Sequence, residues 1–316
     1  RMEEAGMEIL KLNIGNPAPF GFRAPEEMIL DMRQQLPECE GYSASRGLFS
    51  ARKAIMQYAQ LKNIPNVTIN DIYTGNGVSE LINLCMQALL DEGDEILIPS
   101  PDYPLWTATA TLAGGKVVHY LCDEQADWYP DIDDIRKKIT DRTKAIVIIN
   151  PNNPTGKLID PDLMLDIITY CRMNQIYVVI DECFMDFVKD CQKHTRKGLI
   201  PYNPYVVILN ALTKLFAFPG IRIGYAMTSD ADLIHAVNAQ LPSWNVSAVA
   251  QLAGKEVVHH EEYVEESRKY VFREREYMYE EMKKLGLKVY EPSANFIFFK
   301  SDIPMYKKLL ERHILI

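Results

Sequence analysis

The stretch DIYTGNGVSELINLCMQALLDEGDEILIPS, residues 71–100, decides the fold of this chain. DIYTGNG reads as a short strand ending in glycines. Val78 to Leu90 repeats apolar residues at helical spacing, and EILIPS at 95–100 is a second strand. The same rhythm runs on. PLWTATATLA reads as a helix, KVVHY at 116–120 as a strand, DIDDIRKKI as a helix, AIVIIN at 145–150 as a strand and PDLMLDIITYCRM at 161–173 as a helix. YVVID at 177–181 and YVVILN at 205–210 are β-branched runs of the kind found in buried parallel strands. Alternation of this sort implies an α/β fold, a mostly parallel sheet with helices on both faces.

On either side the pattern changes. Residues 11–22, KLNIGNPAPFGF, carry two prolines and two glycines and read as an ordered loop or extended arm. GYSASRGLFSARKAI at 41–55 moves from a loop into a helix, with Ser50 as its expected cap. Beyond Trp244 a long helical pattern takes over, with Val257, Val264, Val271 and Met278 at seven-residue steps, a stripe expected to pack on the large domain. LKVY and NFIFF then read as strands, and Met305 to His313 as a last helix. The expected organisation is a large domain over 40–243 and a smaller α+β domain built from 1–39 and 244–316.

Composition narrows the function. The chain has 316 residues, enough for a sizeable core, and 47% of them are hydrophobic, without an apolar run near membrane-spanning length. RMEEAGMEILKLNIG has neither the basic start nor the apolar centre of a signal peptide, so the expected location is the cytoplasm. A formal charge of −9 without a basic run argues against a nucleic-acid partner. The six histidines form no HExxH spacing, so no metal is expected, and the six cysteines form no CxxC pair and read as reduced thiols.

In a doubly wound sheet, ligands bind at the carboxyl ends of the strands. LNALTKLFAFPGIRIGY, residues 209–225, offers an amine, a hydroxyl and a guanidinium there, from Lys214, Thr213 and Arg222. Together they suit a phosphorylated carbonyl compound such as pyridoxal phosphate (PLP), which a lysine can join covalently while an arginine holds the phosphate. TGNGVSEL places Gly75 and Gly77 before a helix whose first turn holds Val78 and Ser79, a cradle of free N–H groups and a hydroxyl for a phosphate. NPNNPTG at 150–156 presents the Asn153 amide, and Asp181 ends YVVID, where a protonated pyridine nitrogen would repay the burial of a carboxylate. Tyr103, in SPDYPLW, offers a face on which a planar ring can stack. Each has an ordinary reading alone: a surface lysine beside a turn, a glycine turn, a capped turn, a helix cap. Six such groups in succession, each at a strand end, favour one site.

With these motifs the chain resembles the fold-type I PLP-dependent aminotransferases. KLNIGNPAPFGF, GYSASRGLFSARKAI, TGNGVSEL, SPDYPLW, HYLCDE and INPNNPTG resemble the bacterial glutamate–pyruvate (alanine) aminotransferases. From IDECFMDF onward, through LTKLFAFPGIRIGY, LPSWNVSAVAQ and SANFIFF, the chain resembles the histidinol-phosphate aminotransferase and threonine-phosphate decarboxylase branch. The resemblance implies that Lys214 joins the cofactor aldehyde and shuttles the substrate proton. Asp181 would pair with the pyridine nitrogen, Asn153 bond the ring hydroxyl and Tyr103 stack on the ring. Gly77, Val78, Ser79, Thr213 and Arg222 would bind the phosphate, with Tyr42 reaching it from the other subunit of a homodimer. Gly15 and Asn153 would touch the substrate carboxylate. An amino acid and a keto acid would be the small-molecule partners.

Three departures from the family pattern stand out. A tyrosine that bonds the ring hydroxyl is Phe184 here, and a phosphate-binding serine is Ala211. The family's carboxylate-gripping arginine falls beyond HILI at 313–316, so the resemblance makes this a chain truncated at its carboxyl end, in which cofactor binding survives better than turnover. It also begins later than its relatives. Arg46, in the loop after Tyr42, reads first as a solvated surface residue. Three readings stay open: an amino-acid aminotransferase using alanine, glutamate and their keto acids, a decarboxylase of the threonine-phosphate type, and a chain that binds PLP without turnover.

Overall fold

The computed structural model describes residues 3, 4, 6–62, 64 and 66–316. Positions 1, 2 and 5 of the expected amino-terminal arm lie outside the described residues. A short strand, β1 (Leu10–Lys11), leads to α1 (Glu26–Gln35) and α2 (Phe49–Leu61). The alternating part then runs β2 (Ile72–Gly75), α3 (Val78–Leu89), β3 (Glu95–Ser100), α4 (Leu105–Leu112), β4 (Lys116–Leu121), α5 (Ile132–Lys138), β5 (Thr143–Ile149), α6 (Pro161–Met173) and β6 (Tyr177–Asp181). A one-turn helix, α7 (Cys191–His194), precedes β7 (Val206–Ala211), and another, α8 (Leu212–Leu215), precedes β8 (Gly224–Met227). Three helices follow, α9 (Ala231–Gln240), α10 (Ala248–Val257) and α11 (Glu261–Lys284). The chain ends with β9 (Lys288–Val289), β10 (Phe299–Lys300), α12 (Met305–Leu310) and β11 (Ile314–Leu315).

Residues 71–100 show why the sheet forms. In α3 the buried positions Val78, Leu81, Ile82, Cys85, Met86 and Leu89 recur every three or four residues, so one stripe faces the sheet. The strands are apolar on both faces. Ile146, Ile148, Val178, Ile180, Val206 and Ile208 join a core with α2, α6 and α10, while Ala145, Val147, Val179 and Val207 join one with α3, α4 and α9. Each large apolar side chain so buried contributes about 1.5–3 kcal/mol. β-Branched residues suit such doubly covered strands.

The seven-stranded sheet has the order β2-β8-β7-β6-β5-β3-β4. β3 to β7 pair in parallel, whereas β8 is antiparallel to both β2 and β7. The carboxyl ends of β2, β5, β6 and β7 therefore meet one edge, joined there by the first residue of β8. Hydrogen bonds continue the ladder past the strands, Asn150 N–H to the Asp181 carbonyl (2.9 Å) and Glu182 N–H to the Leu209 carbonyl (2.9 Å).

Several expectations are corrected at the ends of the chain. Ser50 does not cap α2: the residue before the helix is Leu48, and its N–H is taken by the Gln251 side chain. The seven-residue stripe crosses a break, because Val257 ends α10 and Val264 lies in α11. Val264 is buried, Val271 is half-buried against the core and Met278 is exposed. NFIFF contributes only Phe299 to a strand, and the last helix stops at Leu310. α1, which packs on α10, went unread in the sequence because only Met28 of its ten residues is buried. β1 pairs in parallel with β11, so the arm and the carboxyl end lie together.

Candidate functional site

Lys214 sits in α8, directly after β7. The strand delivers it to the sheet edge, where it is half-buried. Burial lowers its pKa, Cys183 raises it and the Arg222 charge lowers it further, so the net direction is down, toward a neutral amine. The arm closes over it: a side chain at Gly15 would begin 3.4 Å from the Lys214 Nζ.

Asp181 ends the neighbouring strand and is 7% exposed. Its Oδ1 accepts from the Cys183 N–H at 3.0 Å. Burial raises its pKa, while Cys183 and the Trp106 indole draw it back in part. No cation among the described residues forms an ion pair with it. An unpaired carboxylate in such a place favours a cationic ligand atom.

The third group is the start of α3. Gly77 caps the helix at φ 74° without a side-chain bond, and the first-turn N–H groups of Val78 and Ser79 have no partner among the described residues. Arg222, itself at φ 62°, lays its guanidinium across this turn and donates to the carbonyls of Pro219 (3.0 Å) and Asn76 (3.2 Å). A Cβ at position 77 would fall 2.4 Å from Arg222 Nη2, and one at Gly224 would fall 3.1 Å from the Val78 nitrogen. Glycine is thus required where β8, α3 and the arginine converge. Ser79 is exposed on the first turn, and Thr213 is buried beside Lys214. A cation, helix N–H groups and hydroxyls make an anion cradle.

Asn153 lies in the loop between β5 and α6. Its neighbours have structural tasks: Asn150 Oδ1 accepts from the Ile159 N–H, and Asn152 Oδ1 accepts from the Thr155 N–H and hydroxyl. The Asn153 amide has no partner among the described residues and is half-exposed. Tyr103 is exposed just before α4. Tyr42 is not gathered with the others: it is 82% exposed and stacks on Trp244, with centroids 4.2 Å apart. Arg46 is half-buried, and its guanidinium donates to the Asn70 carbonyl. Phe184 meets Phe296 edge to face at 5.1 Å, and Ala211 is buried.

Two neighbours went unread. Cys183 follows Asp181 closely and is electrostatically coupled to both it and Lys214, and burial pushes its thiol pKa up. Trp106 is fully buried, and its indole N–H, close enough to Asp181 to lower that carboxyl's pKa, makes no hydrogen bond of ordinary geometry among the described residues. Trp106 could have been read from its place just after SPDYP. The structure therefore offers, at one edge, an amine with lowered pKa, an unpaired carboxylate and an anion cradle. That set fits a small molecule with a phosphate, a basic ring nitrogen and an aldehyde.

The family model for aminotransferase class I and II matches residues 7–316. Over 225 residues, 71% of this chain and 56% of the relative, the chain is 53% identical to the glutamate-pyruvate aminotransferase AlaA of Haemophilus influenzae. It is 30% identical to a histidinol-phosphate aminotransferase of Ruminiclostridium cellulolyticum over 90% of this chain and 79% of that one. The match thus spans little more than half the length of the alanine-type relatives. Among solved structures, an aminotransferase from Escherichia coli superposes with a TM-score of 0.89 at 40% identity, covering 100% of this chain and 83% of that one. An alanine aminotransferase from Pyrococcus furiosus gives 0.88 at 34% identity, covering 99% and 84%.

Proposed function

The chain belongs to the class I and II aminotransferase family, and on that premise we propose that it uses PLP to move an amino group between an amino acid and a 2-keto acid, with alanine and glutamate as donors. The observation that carries the reading is that Lys214, under Gly15, follows the strand next to the one that ends in the buried Asp181, which has no ion-pair partner among the described residues. The choice of alanine and glutamate rests on the names of the relatives. When bound, PLP supplies a conjugated ring that accepts the electrons left when the substrate α-proton departs.

The residues divide the work. Arg222, the first turn of α3, Ser79 and Thr213 would hold the phosphate, and Asp181 would keep the ring nitrogen protonated. Asn153 would bond the ring hydroxyl and Tyr103 would cover the ring. Lys214 would hold the aldehyde, and burial, which lowers its pKa, favours a neutral Nζ able to take the substrate α-proton and return it. The arm at Gly15, with Asn153, contacts the substrate carboxylate and helps to exclude water. The working form in this reading is a cytoplasmic homodimer, with the exposed Tyr42 reaching the phosphate of the partner. Its large domain spans 40–243, with α10 packed into its core, and the remaining residues form the small one.

The test is to add L-alanine or L-glutamate to the PLP-loaded protein and follow the visible cofactor band together with the products by mass spectrometry. Loss of the band with formation of pyruvate or 2-oxoglutarate supports the proposal. Carbon dioxide from threonine phosphate, without keto acid, would favour the decarboxylase reading instead.

A further inference from the structure

Beneath the site lies a group of buried charges that the proposed chemistry does not use. Lys197, in the turn after α7, is 4% exposed, and Glu182, the residue after Asp181, is 0% exposed. Lys197 Nζ lies 3.7 Å from Glu182 Oε2 and donates to the Tyr225 hydroxyl at 3.2 Å. Glu182 also accepts from the Thr195 hydroxyl (2.7 Å) and the Arg196 N–H (2.8 Å). Next to this pair, Asp186 pairs with Lys62 at 2.7 Å and with Arg268 at 3.6 Å. Burying this many charges brings little net stability. Their placement suggests another use.

Glu182 is attached to the end of β6, and Tyr225 is the second residue of β8. β7 lies between these two strands and leads straight into Lys214. Along β6, Ile180 faces the core formed with α2 and α10, and Val179 faces the core formed with α3. By strand alternation, Glu182 follows Ile180 and Asp181 follows Val179. Lys197 therefore bridges, on one face of the sheet, the ends of the strands that present Asp181 and lead back to Arg222 on either side of Lys214.

We propose that Lys197 is a positioning residue for the cofactor site: by joining Glu182 to Tyr225 beneath β7, it holds Asp181, Lys214 and Arg222 at the spacing the cofactor requires. The inference rests on the PLP reading above. Removing the lysine leaves Glu182 as a buried carboxylate that has lost its ion-pair partner, so the end of β6 must shift or take up water. Any shift there moves Asp181, one residue away. Binding energy at such a site depends on groups held within a few tenths of an ångström.

The experiment compares wild type, Lys197→Met, Tyr225→Phe and the double variant Lys197→Met with Glu182→Gln. Cofactor-free melting temperature and circular dichroism report folding, and PLP titration followed by absorbance and fluorescence reports affinity. Lys197→Met is expected to weaken PLP binding by about tenfold or more. Tyr225→Phe, which removes one hydrogen bond and leaves no lone charge, is expected to weaken it about threefold without loss of fold. The double variant removes both charges and should recover most of the lost affinity. Should Lys197→Met fail to fold, Tyr225→Phe decides. Wild-type affinity in every variant that folds, whatever the melting temperature, overturns the proposal and leaves the network a purely structural one. Absence of PLP binding by the wild type itself overturns the cofactor reading and this inference with it.

Discussion

Replacing Gly77 by alanine tests the anion cradle most sharply, because two separate costs can be worked from the structure. The residue holds φ 74° and ψ 176°, a region essentially confined to glycine that costs an L-residue about 1–3 kcal/mol. Its new Cβ would stand 2.4 Å from Arg222 Nη2 and 2.9 Å from Cζ, so the guanidinium has to leave. Moving it breaks the bond to the Asn76 carbonyl and takes the charge away from the first turn of α3. A hydrogen bond to a charged group contributes about 1.5–3 kcal/mol, which converts to about ten- to hundredfold weaker phosphate binding. PLP titration by absorbance would measure this loss, and urea unfolding of the cofactor-free form the backbone cost. Gly220→Ala is the control, since a Cβ there meets nothing within 4 Å and the backbone is not left-handed. PLP affinity of Gly77→Ala within twofold of wild type would refute the assignment of this turn and Arg222 to the phosphate.

Asp181 and Asp186 are expected to respond to pH in opposite senses. Burial raises the Asp181 pKa, so its contribution to stability is present below the ordinary aspartate range and is lost as pH rises through its own raised value. Asp181→Asn should therefore raise the melting temperature of the cofactor-free protein at neutral pH while weakening PLP binding; a lower melting temperature there would contradict the unpaired-carboxylate reading. For Asp186, burial acts upward, but Lys62, Lys197 and Arg268 hold its pKa well below the ordinary value. Its contribution is present above the ordinary aspartate range and is lost as pH falls through that depressed value. Asp186→Asn should cost about 3–5 kcal/mol in urea unfolding near neutral pH, because Lys62 and Arg268 lose their carboxylate partner.

Much of the large sheet was legible because its helices and strands bury whole faces. The apolar runs from Ile72 to Leu209 could hardly sit anywhere but between two helical layers. β8 was not read, since GYAM is only four residues long and is fixed by pairing on both sides, antiparallel to β2 and β7. α1 escaped for the opposite reason: nine of its ten residues are exposed or half-exposed, and tertiary contact with α10 holds it in place. At the site, glycines, prolines and a lysine after a strand mark a ligand edge even in a bare sequence. The Glu182, Lys197 and Tyr225 network left no such mark, because its members lie 15 and 28 residues apart and meet only across the folded sheet. Ser50 misled because a serine two residues into a helix looks like a cap until the backbone at Leu48 shows where the helix starts.

The most direct test of the central claim is to load the purified protein with PLP, reduce it with borohydride, and map the modified peptide by mass spectrometry. The account predicts one pyridoxyl group, carried by Lys214 and absent from Lys214→Ala, with Lys197 unmodified in its buried pair. Modification at any other lysine, or scattered labelling that persists in Lys214→Ala, would contradict it.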